Sequence, residues 1–103
     1  MSVPPDHPQS IGEIMDELAW MMIYAPELTD NSGFFPDWNI ETRFESLNLG
    51  LQHVRNTLGE SRYQALTSLS LRMREHFEAN TDEDTLAGRE LIHEMEDILR
   101  KRG

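Results

Sequence analysis

The sequence predicts an all-α protein, a single antiparallel four-helix bundle-like domain built on a central helical hairpin. Two observations carry this. Between Asn39 and Leu58 the apolar residues Ile40, Phe44, Leu47, Leu51, Val54 and Leu58 recur at gaps of 4, 3, 4, 3 and 4, which lines one face of a helix. Gly59 then stands where a helix favours a left-handed C-terminal residue, and Ser61-Arg62-Tyr63-Gln64 has the S-x-x-Q pattern of a capping box. So short a link turns the two helices back on each other as an antiparallel pair. Nothing in the chain reads as a strand.

The elements follow in order. Residues 1–9, with Pro4, Pro5 and Pro8, are expected to be an irregular lead-in. Ser10-Ile11-Gly12-Glu13 is a capping box that starts the first helix. Ile11, Ile14, Met15, Leu18, Met21 and Met22 form its apolar stripe, widened by Trp20, Ile23 and Tyr24, and Pro26 stops it near Tyr24 or Ala25. Core packing is the favoured role of Trp20, Met21 and Met22, and a face for a second copy is the alternative. Residues 26–39 form an aromatic and acidic loop, in which Asp30-Asn31-Ser32-Gly33 is turn chemistry followed by Phe34-Phe35-Pro36-Asp37-Trp38. These rings either plug the open end of the hairpin, the favoured account, or anchor a partner.

The second helix is expected over residues 40–58. The third is expected over 62–79, with Tyr63, Leu66, Leu69, Met73 and Phe77 on one face and Leu71 off it. Asn80-Thr81-Asp82-Glu83-Asp84 breaks the pattern and starts the fourth helix, with Thr81 as N-cap. Leu86, Leu91, Ile92, Met95, Ile98 and Leu99 are its predicted buried face. Acids at its start and Arg100, Lys101 and Arg102 at its end complement the helix dipole, about 0.3–1 kcal/mol each.

A chain of 103 residues is read as one domain able to build its own core. It has no cysteine, which excludes disulfides, thiolate zinc sites and a cysteine nucleophile, and fits a cytoplasmic location. The N-terminus lacks the basic and apolar regions of a signal peptide, and the longest apolar run, residues 18–25, is far short of a membrane span. Nineteen acids against nine bases give a net charge of −10. Residues 1–42 hold eight acids and no Lys or Arg; residues 75–97 hold nine acids and only Arg89; residues 43–74 hold five arginines against Glu45 and Glu60. Such a chain is repelled by nucleic acids and anionic membranes, so its expected partners are basic proteins, with plain solubility as the competing explanation.

Catalysis is not predicted. His93-Glu94 begins like HE-x-x-H, but position 97 is Asp, and Asp82-Glu83-Asp84 lacks the spacing of a calcium loop, so no metal is expected. There is no G-x-S-x-G elbow and no glycine-rich phosphate loop, so no nucleophile or cofactor is assigned. Glu13/Glu17 and Glu90/Glu94 each put like charges one turn apart, which is best tolerated where the face meets cations on a partner. The arginines are expected to pair with neighbouring acids, for example Arg74 with Glu78.

Leu51-Gln52-His53-Val54-Arg55, Leu58, Ala65-Leu66-Thr67-Ser68-Leu69, Arg74-Glu75-His76-Phe77-Glu78 and Asp82-Glu83-Asp84 together resemble the small acidic all-helical immunity proteins that neutralise interbacterial toxins such as type VI secretion effectors. The resemblance covers roughly residues 47–92. It implies a cytoplasmic inhibitor in bacterial competition that binds a cognate toxin domain and blocks its active site. The charge agrees, since an acidic protein is steered quickly onto a basic toxin. The expected contact residues are Asp30, Phe34, Asp37 and Trp38 on the loop and Asp82, Glu83 and Asp84 at the second acidic end. The alternatives are a homo-oligomeric structural or regulatory module, such as a homodimer through Trp20, Met21 and Met22, and an acidic mimic of nucleic acid.

Overall fold

The computed structural model of the protein describes residues 8–25, 28 and 39–100, and these are all-helical. The elements are α1 (Ile11–Tyr24), α2 (Ile40–His53), α3 (Arg55–Leu58), α4 (Glu60–Ala79) and α5 (Asp82–Arg100). Four long helices were expected; the second of them is divided into α2 and α3.

The cap of α1 forms largely as its sequence indicates. Ser10 Oγ accepts the Glu13 N–H at 3.1 Å, while the Glu13 carboxylate accepts from Gln9 N–H at 2.8 Å, one residue before the usual partner. Pro8, at the end of the lead-in, is buried against α2, where its ring carbons lie 3.1 Å from the position a Cβ on Gly50 would occupy. At the start of α2, Asn39 and Thr42 bond reciprocally, each side chain accepting the other's backbone N–H at 2.9 Å.

The apolar face predicted for residues 40–58 is buried as expected, with Ile40 half-buried and the other five residues in the core. The backbone nevertheless leaves regular α geometry at Val54 (φ −101°, ψ 12°) before resuming in α3. Beyond this break the short α3 packs on α4, only one residue away in the chain, and both Val54 and Leu58 are buried.

That single residue is Gly59. Its φ is positive as expected, but its φ of 87° with ψ of 156° is an extended glycine conformation rather than a left-handed cap. Nothing lies within 4 Å of a Cβ added there, so Gly59→Ala tests backbone strain alone. It should cost about 1–3 kcal/mol in a urea melt with the m-value unchanged.

The S-x-x-Q box does not form. The helix α4 begins at Glu60 with Gly59 as its N-cap and no side-chain cap bond, so Ser61 already sits inside the first turn. Gln64 instead donates to Glu60 at 2.9 Å, and Glu60 accepts from Arg55 at 2.7–2.9 Å, bracketing the turn with an exposed ion pair. At the other end of α4, Asn80 takes the left-handed conformation, and Thr81 Oγ1 accepts the Asp84 N–H at 3.0 Å, the N-cap its position predicts.

The pair α2–α4 packs as expected, but the most extensive packing is between α4 and α5, joined by Asn80 and Thr81. The helix α1 closes the arrangement by packing on both α5 and α2. Gly88 explains how closely α4 and α5 approach. A Cβ at Gly88 would fall 2.8 Å from Cδ1 and Cζ of Phe77, and closer still to Cε1. Phe77 is fully buried and lies in tilted contact with Phe44, ring centroids 6.4 Å apart.

The buried stripe of α5 therefore runs through Gly88, Leu91, Ile92, Met95 and Leu99, with Ile98 half-buried. Leu86, expected on this face, is 60% exposed, because it sits nearly opposite Gly88 on the helix. In α1, Ile14, Leu18 and Met21 are fully buried, Trp20 stacks on Tyr24 with ring centroids 4.5 Å apart, and Ile23 is 70% exposed.

Among the described residues, the Arg43–Glu17 pair joins α2 to α1 from a largely buried position. Arg43 Nη1 reaches both oxygens of Glu17 at 3.4 Å, and both residues are largely buried. A contact of that length is weak for an ion pair, which explains why burial, offset only in part by Arg43, raises the Glu17 pKa above 4.5. The stability this carboxyl supplies is present below pH 4.5 and is lost as pH rises through its raised value.

Candidate functional site

Once the buried face of α5 is packed, the opposite face is left to solvent. Its exposed residues include Glu83, Leu86, Glu90, Glu94 and Asp97, at gaps of 3, 4, 4 and 3. At 1.5 Å per residue this ridge extends about 21 Å. Glu83, Glu90 and Glu94 form no ion pair among the described residues, whereas Asp97 meets Arg100 at 3.8 Å. Glu90 and Glu94 repel one another across one turn. The result is an acidic strip with one apolar side chain, Leu86, standing in it.

At the head of the ridge the three predicted acids have different surroundings. Asp82 and Glu83 are exposed in the first turn, where their charge also complements the helix dipole. Asp84 is held by its neighbours: its Oδ1 lies 2.8 Å from His76 Nδ1, and its Oδ2 accepts from Thr81 Oγ1 at 2.8 Å. The hydrogen bond with His76, and then the one from Thr81, hold its carboxyl below the ordinary 3.8. Asp84 thus ties the end of α4 to the start of α5.

The stability Asp84 contributes is present above pH 3.8 and is lost as pH falls through its lowered folded value. Asp84→Asn should therefore lower Tm at pH 7, and the gap between variant and wild type should close as the pH is brought down below 3.8. A gap unchanged across that acid range would remove the hydrogen-bonded role of the carboxylate.

Asp30, Phe34, Asp37 and Trp38 lie outside the described residues. Leu86, Glu90, Glu94 and Asp97 join Glu83 in the candidate site although they were not among the expected contacts. Helical spacing from Glu83 was the signal that could have found them, and the Glu90/Glu94 pair already carried part of it. Leu86 was hidden by being counted with the core.

Three of the five arginines of the middle region meet acids as expected, while Arg62 Nε donates to the Leu58 backbone oxygen at 2.9 Å and Arg72 forms no ion pair among the described residues. Arg74 Nε bonds Glu78 at 3.1 Å, Arg55 bonds Glu60, and Arg43 meets Glu17. Among the described residues no three His, Asp or Glu side chains converge in a way that could hold a metal ion, and no helix is long and apolar enough to cross a membrane.

No protein-family model, no curated protein and no solved structure matches the chain.

Proposed function

We infer that the protein is an immunity or antitoxin-type inhibitor that binds a basic toxin domain through the exposed face of α5 and blocks its active site. The observation that carries this reading is the ridge of Glu83, Glu90 and Glu94 around exposed Leu86, which no cation of the described residues neutralises. A row of unpaired carboxylates attracts a basic surface over a Debye length, and a single apolar side chain among them supplies a desolvated anchor. The four long helices serve as a bundle-like antiparallel scaffold that keeps the ridge straight, and the protein acts in the cytoplasm without a cofactor and without catalysis. The resemblance of residues 47–92 to acidic immunity proteins points the same way. Co-expression with a toxin-like reading frame beside its gene should restore growth of a sensitive host. Continued killing at equal levels of soluble protein would sink the reading.

A self-associating module is the second reading, favoured by Ile23, 70% exposed beside the Trp20–Tyr24 stack. Met21 is fully buried, so a homodimer would use Trp20, Met22, Ile23 and Tyr24 rather than the three residues first expected. A mass that rises with concentration in light scattering would favour it. An acidic mimic of nucleic acid would use the same α5 ridge against a nucleic-acid-binding site.

A further inference from the structure

A groove of about 260 Å³ runs between α2 and α4, on a surface whose chemistry is opposite to that of the ridge. The chain has about two acids for every base, yet none of the residues lining this groove is acidic and its one charged residue is Arg74. The helix α2 supplies Phe44, Asn48 and Gln52, and α4 supplies the facing side from Tyr63 to Arg74.

What the groove offers is mainly hydrogen-bond donors. Ser70 Oγ donates to Asn48 Oδ1 at 3.0 Å, which leaves the Asn48 amide N–H groups without a partner among the described residues. The Gln52 amide and the Tyr63 hydroxyl make no hydrogen bond among the described residues either. Arg74 is held from two sides, by Glu78 at its Nε and by the Phe44 ring 6.0 Å below its guanidinium, so its terminal nitrogens remain as a positioned fork. Beside these donors stands Leu71, 61% exposed, an apolar side chain in the groove, while the Tyr63 ring lies about two helical turns away with the Arg55 guanidinium 4.4 Å from its centroid.

We propose that this groove is a binding site for a small carboxylate with an apolar body, its carboxylate on Arg74 and Asn48 and its body against Leu71. The volume lies just below the roughly 300–1,000 Å³ of sites for drug-sized ligands, so the ligand is small. The planar fork suits a carboxylate better than a point cation would. Glu78 opposes the ligand's charge from the far side of Arg74, which gives the site a signature: removing that charge strengthens binding.

The test is a titration of the full chain with 3-phenylpropionate, followed by backbone amide NMR shifts, with 3-phenylpropanamide as the neutral control. The acid should give saturable shifts clustered at Asn48, Gln52, Ser70, Leu71 and Arg74, and the amide should bind about tenfold more weakly or worse. Arg74→Gln should lose about tenfold or more, Arg74→Lys should lose less, and Glu78→Gln should tighten binding. Equal shifts with acid and amide, shifts elsewhere in the protein, or no saturable shift up to about 10 mM would overturn the proposal. So would unchanged binding by an Arg74→Gln variant whose spectrum shows an intact fold.

Discussion

Replacing Gly88 with leucine is expected to be among the most damaging single substitutions in the protein, costing about 3 kcal/mol, or on the order of 10–20 °C in Tm. The reason is local. A glycine inside a helix ordinarily costs roughly 1 kcal/mol relative to alanine, so on propensity alone Gly88→Ala should stabilise α5. Here the space for even a Cβ is taken by the Phe77 ring, which is fully buried and itself wedged against Phe44. The ring cannot swing into solvent, so the helices must separate and open the most extensive packing in the molecule. Gly88→Ala should therefore lose stability too, by a smaller amount. Trimming the ring should relieve the clash: Gly88→Ala should cost less in a Phe77→Leu background than in the wild type, a coupling that a double-mutant cycle reads directly. A stabilised Gly88→Ala variant would show that α4 and α5 are not pressed together at this point.

The second large effect concerns binding. Reversing Glu83, Glu90 and Glu94 together to lysine should weaken association with a basic partner by a factor of about 100 or more, mainly through a slower on-rate. The same variant should keep its helical spectrum, since the three side chains are exposed and form no ion pair among the described residues; Glu83→Lys gives up a helix-dipole contribution of about 0.3–1 kcal/mol, and the other two stay within about 0.5 kcal/mol each. Wild-type association should also weaken as salt is raised, and the variant should lose that dependence. Leu86→Ala should act differently, raising the off-rate with little change in salt dependence. If the triple reversal binds as tightly as the wild type, the ridge is only a solvated face.

The helical character of the chain was legible because it rests on spacing. The face from Ile40 to Leu58, the stripe from Leu66 to Phe77, the exposed Leu71 and the N-caps at Ser10 and Thr81 all depend on residues within a turn or two of each other. What spacing could not show was set by contacts between helices. Gly88 is invisible to a hydropathy pattern, since its role is the absence of a side chain where Phe77 needs room, and Leu86 was assigned to the core in its place. The Ser61–Gln64 box failed for a related reason: with only Gly59 as a link, α4 has to begin before Ser61 can cap it. The site was half legible. Asp82 and Glu83 are exposed at its head, but the side-chain bonds of Asp84 with His76 and Thr81 bind it into the α4–α5 turn, which the run of acids alone could not reveal.

The central claim is that the acidic face of α5 recognises a basic protein. Its most direct test is affinity capture of the tagged protein from its native cells, run beside the Glu83→Lys/Glu90→Lys/Glu94→Lys variant and followed by mass spectrometry. The account predicts one stoichiometric basic partner with toxin-like activity on the wild type, and its loss from the correctly folded variant. Recovery of the same partner by both proteins, or of nothing but the protein itself, would contradict it.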